Sequence, residues 1–150
     1  MYFYPLSSKV ENKLEEIFKS LIGINKVKVN EIEILQRKIK TVKSSKGVVW
    51  FDFKEICDSP RSSLDFIEIS KEFQTVIISN MFKIKSDDIA RRFISLIDEC
   101  YDRKVKVIIS AENNFKEIYE GSNLKEKFKR TISRLIEMQS VDYLKEAHKA

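Results

Sequence analysis

Two apolar runs without polar interruption mark the middle of the chain, Val76-Ile77-Ile78-Ser79 and Val107-Ile108-Ile109-Ser110, set 31 residues apart. An unbroken run of β-branched residues suits a strand buried on both faces, and the interval holds one crossover helix. Between them Ile89, Phe93, Ile94, Leu96, Ile97, Cys100 and Tyr101 recur at helical spacing behind Ser86, with Asp87 and Asp88 in the first turn. The pattern predicts strands over about 75–79 and 105–110 and a helix over about 87–103, a βαβ unit. Upstream, Val10, Leu14, Ile17, Phe18 and Leu21 form a helical stripe that Gly23 ends, and Ser8-Lys9-Val10-Glu11 has capping-box spacing. Alternation around Ile32, Ile34, Ile39 and Thr41, then GVVWFDF after Ser-Ser-Lys-Gly, predicts two or three short, partly antiparallel strands. Short helices follow in KEICDSP, ended by Pro60, and in SSLDFIEISKEF, capped by Ser62 or Ser63.

The fold expected is α/β, a small, mainly parallel sheet with a βαβ unit, preceded by a helix and short antiparallel strands. One domain spans 1–150, with a helix-plus-basic-hairpin section over 1–46 and the α/β core with C-terminal helices over 47–150. In such sheets ligands collect beyond the carboxyl ends of the strands, which singles out Ser79, Asn80, Ser110 and Glu112. The same residues also serve simply to turn the chain after each strand.

In the last predicted helix Arg130, Arg134 and Glu137 share one ridge, opposite a stripe of Phe128, Ile132, Leu135 and Ile136. Arg91 and Arg92 likewise lie off the apolar face of the preceding long helix. Arginine's planar, permanent charge suits carboxylate or phosphate partners. Two readings follow: the arginines face a domain outside this chain, or they pair locally, Glu126 with Arg130 and Arg134 with Glu137, at about 0.2–0.5 kcal/mol per pair.

Composition narrows the chemistry. The only histidine is His148 and the only glycines are Gly23, Gly47 and Gly121, which leaves no catalytic Ser-His-Asp or Cys-His arrangement, no Cys/His zinc site and no G-x-x-x-x-G-K-[ST] phosphate cradle. Cys57 and Cys100 sit in apolar helical contexts and read as buried free thiols. The opening MYFYPLSSKV has neither the basic nor the long apolar region of a signal peptide, and no apolar run approaches membrane-span length, so a cytoplasmic protein is expected. Seven basic and two acidic residues between Ile24 and Lys46 account for the whole net charge of +5. That hairpin is either a solvated, lysine-protected sheet edge or a binding surface for nucleic acid or an acidic protein. Nucleic acid gains little support, because Trp50, Phe51 and Phe53 alternate as core residues rather than as a stacking platform. Asp52, Asp65 and Glu112 offer carboxylates for a magnesium-dependent hydrolase, with no spacing that marks a site.

Several blocks together carry a resemblance: YFYPLSSKVENKLEEIF, GVVWFDFKEICDSP, KEFQTVIIS, ARRFISLIDECYDRKVKVIISAE and FKRTISRLIEMQSVDYL. In this order they are similar to the C-terminal region of the ZapE-like P-loop ATPases, whose mitochondrial members are the lactation-elevated-type proteins. Gln36-Arg37 stands where that family usually has Gly-Arg, Asn80 and Phe82 near its Asp and Pro, and Asn114 and Phe115 in a usually proline-bearing segment. The resemblance implies an AAA-like machine that hydrolyses ATP with magnesium and is linked to cell division or to mitochondrial protein quality control. Its Walker and first sensor motifs lie upstream of the matched region. It thus implies a split or truncated C-terminal part that binds no cofactor alone. Its partner is then a separately encoded P-loop core or a homologous subunit, with Arg91, Arg92, Arg130 and Arg134 as candidates for an interdomain or nucleotide-sensing role.

Overall fold

The computed structural model describes residues 1–150. Its elements run β1 (Tyr2–Phe3), α1 (Ser8–Ile22), β2 (Lys28–Ile34), β3 (Arg37–Ser45), β4 (Val48–Asp52), α2 (Phe53–Ile56), α3 (Ser63–Glu72), β5 (Thr75–Met81), α4 (Asp87–Asp102), β6 (Lys106–Ala111), α5 (Lys125–Glu137) and α6 (Val141–Lys145). One six-stranded sheet in the order β1-β6-β5-β4-β3-β2 joins them, with β1, β6, β5 and β4 parallel and the β2–β3 hairpin antiparallel at the far edge. The basic hairpin is therefore part of the same sheet as the βαβ unit.

Alternation within the apolar strands assigns the two faces. Val49, Phe51, Val76, Ile78, Val107 and Ile109 pack under α2, α3, α4 and α5 in a cluster of 31 buried residues. Their neighbours Val48, Trp50, Ile77 and Ile108 face the other way, onto Leu14, Phe18 and Ile22 of α1. Both predicted strands are thus covered on two sides, and Trp50, Phe51 and Phe53 are all core. Cys57 and Cys100 are free and buried, and burial pushes both thiols up, Cys100 to about 12.

Three local expectations shift. The cap of α1 is Ser7, whose Oγ accepts the Val10 N–H at 3.1 Å, so the expected box at Ser8 is out of frame by one residue. Strand β1 was not foreseen, since two residues carry no period; it lies parallel to β6, Tyr2 opposite Ile109. On α5 the buried residues are Phe128, Thr131 and Leu135, while Ile136 is exposed, so the apolar stripe is rotated from the expected one. Thr131 escapes an apolar pattern because its hydroxyl is satisfied within the helix, donating to the Lys127 carbonyl at 3.2 Å.

The β2–β3 turn places Leu35 at φ 52° and Gln36 at φ 64°, with Ile34 opposite Arg37. Positive φ at both central residues of a two-residue hairpin favours Asn-Gly chemistry, and a side chain in that region is strained. Gln36→Gly is expected to raise stability by about 1 kcal/mol, read as a higher urea midpoint. An unchanged or lower midpoint contradicts the strain.

Candidate functional site

Helices α4 and α5 pack side by side on the sheet and bring the arginines together. Ser86 caps α4 through Ile89 N–H, and its first turn carries Asp87 and Asp88, which fixes the start and the facing of the helix. The stripe Ile89, Ala90, Phe93, Ile94, Leu96, Ile97 and Cys100 faces the core, leaving Arg91, Ser95 and Asp98 along the side that meets α5. There Arg134 Nη1 donates to Asp98 Oδ1, and Arg130 Nη2 lies 3.7 Å from Asp98 Oδ2. The Arg134 guanidinium also sits 4.9 Å from the Tyr101 ring centre, and Tyr101 donates its hydroxyl to Glu137 at 2.6 Å, which together with burial raises the tyrosine above its usual range. Both expected helix-local pairs are replaced: Glu126 meets Lys129 at 3.4 Å, Glu137 meets Tyr101, and the arginines cross to α4 instead. Asp98 on the packed neighbour is 26% exposed and reachable by both guanidiniums, whereas Glu126 stands 88% exposed in solvent.

The other two arginines separate. Arg91 reaches back to Asp88 at 3.2 Å, both side chains largely in solvent, whereas Arg92 donates to the Cys57 carbonyl at 3.1 Å and ties α4 to the end of α2. Arg91 and Arg130, with Lys127, line a shallow groove of about 240 Å³ between α4 and α5 that also holds Ser95, Asp98 and Glu99. Burial raises the Glu99 carboxyl, against the pull of Arg103. Lys127 was not foreseen as a member; its place three residues before Arg130 on α5, one turn away on the same side, was the available signal.

The strand-end residues also meet, but they face one another. Ser79 Oγ accepts the Trp50 indole N–H at 2.9 Å, Ser110 Oγ accepts the Asn80 N–H at 3.0 Å, and Asn80 Nδ2 donates to Asp52 Oδ2 at 3.0 Å. Glu112 Oε2 accepts the Lys83 N–H at 3.0 Å. Asn80 stands at φ 62°, where the β5 ladder shifts register, which is how its side chain turns onto Asp52. Ser79 and Ser110 are buried, so the set closes the strand ends rather than opening a pocket. The hydrolase triad is dispersed: Asp65 is paired with Arg37, Asp52 with Asn80, and no group of three acidic, histidine or cysteine side chains is placed to hold a metal ion.

A groove of about 730 Å³ lies at the hairpin edge, lined by Lys26, Lys28, Lys38 and Lys46 together with Glu31, Glu33 and Glu72. Part of the hairpin charge is answered locally: Lys38 lies 3.7 Å from Glu31, Lys43 binds Glu15 of α1, and Arg37 binds Asp65 of α3.

Residues 1–147 match the family model described as AFG1-like ATPase. The chain is 35% identical over 153 residues to the Cell division protein ZapE of Escherichia coli strain K12, a match covering 100% of this chain and 40% of that protein. It is 35% identical over 122 residues to an uncharacterized protein of Schizosaccharomyces pombe, covering 79% of this chain and 27% of that one. Against Lactation elevated protein 1 homolog B of Danio rerio it is 25% identical over 181 residues, covering 95% and 36%. The chain spans two fifths or less of the length of these relatives. No solved structure gives a significant match.

Proposed function

Because the chain belongs to the AFG1-like ATPase family, we propose that these 150 residues are the C-terminal part of such an ATPase and act by docking onto its P-loop-bearing part, on the same polypeptide or another. The observation that carries this reading is the mismatch in coverage: the match takes in all of this chain and 40% of ZapE, and nothing in the matched residues cradles a nucleotide.

Phosphoryl transfer depends on backbone N–H groups in a glycine-rich loop, a lysine and a magnesium site that together position and neutralise the phosphates. Here Gly23 closes the C-terminus of α1, Gly47 turns β3 into β4, and a Cβ at Gly121 would meet the Tyr119 ring at 2.5 Å. None of the three opens a helix N-terminus, so ATP and magnesium do not fit this part and belong to the P-loop part. What this part offers is an α/β body with an exposed groove between α4 and α5 lined by Arg91, Lys127 and Arg130. The name of the ZapE relative makes cell division the setting proposed for the whole machine.

Docking has a direct readout. The chain and the P-loop-bearing part, purified separately and mixed at about 10 μM, an ordinary range for specific protein pairs, are expected to co-elute from a sizing column. Separate elution at roughly 100 μM of each would contradict the reading.

A further inference from the structure

We propose that the α4–α5 groove seats a carboxylate side chain of the P-loop-bearing part, that Arg130 leaves its internal partner to bind it, and that Arg91 and Lys127 complete the seat. The inference rests on the docking reading above and assigns it a contact. Its basis is that two guanidiniums share one carboxylate. Asp98 is held closely by Arg134, with both side chains 26% exposed and the guanidinium fixed over Tyr101. Arg130 lies at the outer oxygen at 3.7 Å, makes no hydrogen bond there, and is 59% exposed. Releasing Arg134 would strip a largely buried aspartate of its hydrogen-bonded countercharge, which is costly, whereas releasing Arg130 leaves Asp98 still paired with Arg134. Arg130 is thus the surplus cation of the pair, and Arg134 is the one that positions α5 on α4.

Its neighbours are equally free to respond. Arg91 holds only Asp88 at 3.2 Å with both groups mostly solvated, an exchangeable surface pair. The groove is about 240 Å³, below the roughly 300–1,000 Å³ typical of small-ligand pockets, and suits a protruding side chain better than an enclosed molecule. Asp98 and Glu99 line it as well. A polyphosphate laid there would bring several negative charges against these two acids, while one carboxylate needs only the fork that Arg130 presents.

The test follows the arginine side-chain Nε–Hε signals of the full ¹⁵N-labelled chain at low ionic strength, titrated with a blocked alanine-based peptide carrying a single central glutamate and, in parallel, with pyrophosphate. Arg130 and Arg91 are expected to shift with the peptide while Arg134 stays still. Arg130→Ala should weaken peptide binding about tenfold, the effect of one charge-assisted contact, and Arg130→Lys should recover part of it. Arg130→Ala should also leave the thermal midpoint close to wild type, since the lost contact is exposed. An unmoved Arg130, a shift led by Arg134, or pyrophosphate binding at the groove tighter than the peptide would each overturn the assignment, the last in favour of a phosphate ligand. Co-elution with the P-loop part that survives any of these results sinks this contact alone, whereas loss of co-elution by the wild-type chain sinks the parent reading.

Discussion

Replacing Arg37 by Met is expected to destabilise the chain by about 3 kcal/mol at pH 7, a large share of the roughly 5–15 kcal/mol that holds a domain of this size. Arg37 donates from the β3 end of the hairpin to Asp65 in the first turn of α3, whose other oxygen accepts the Ser62 N–H at 3.0 Å. Asp65 is fully buried and Arg37 half exposed. The asymmetry decides which truncation is worse: without Asp65 the guanidinium turns to water, but without Arg37 a buried carboxylate loses its countercharge. Methionine keeps most of the apolar stem, so the change isolates the charge.

The pH dependence has a definite sign. Burial alone would lift the Asp65 carboxyl, but the Arg37 hydrogen bond, the Ser62 N–H and the nearby Arg37 and Arg61 charges outweigh it and hold the group below the usual carboxylate range. A depressed folded value means stability that is present above the unfolded value near 3.9 and lost as pH falls through the folded one. In Arg37→Met the hydrogen bond and charge of Arg37 are gone while burial stays, so the depression shrinks, and the gap between variant and wild type is widest at neutral pH and narrows in acid. Urea unfolding at pH 7 and pH 4 checks this. Equal midpoints at pH 7, or a gap that widens at pH 4, would contradict it.

The large-scale plan was legible because burial on two faces writes itself as unbroken apolar runs. Val76–Ser79 and Val107–Ser110 became the two central strands, and the stripe from Ile89 to Cys100 became the helix between them. Local turn chemistry was less secure. Ser7 and Ser8 are adjacent potential caps, and only the backbone of Ser7, extended at φ −162°, selects between them. Strand β1 exists because β6 offers it an edge, not because Tyr2 and Phe3 have a pattern. The bulge opposite Val29 and Asn30 leaves Val42 unopposed and sends Lys43 across to Glu15 and the Phe18 and Trp50 rings, a detour that alternation conceals.

The arginine set shows where a one-dimensional reading ends. Helical spacing placed Arg130 and Arg134 on one ridge, and Arg91, Ser95 and Asp98 on one face, but it could not say that the ridge and the face meet. Arg134 and Asp98 are 36 residues apart, and Arg37 and Asp65 are 28 apart. Pairings of that range are fixed by how helices and strands stack. The consequence is a division of labour inside the motif: Arg134 holds α5 to α4, Arg92 holds α4 to α2, and Arg91 and Arg130 remain near the surface.

On the docking reading proposed above, this part contributes to ATP hydrolysis only in company with a P-loop. Magnesium-dependent phosphate release by the chain alone, by the P-loop-bearing part alone, and by the two together decides it. The chain alone should stay at background, since it has no glycine-rich loop to cradle the phosphates, and adding it should raise turnover of the P-loop part by about tenfold or more. Turnover by the chain alone, or a P-loop part whose rate is the same with and without it, would rule out that dependence.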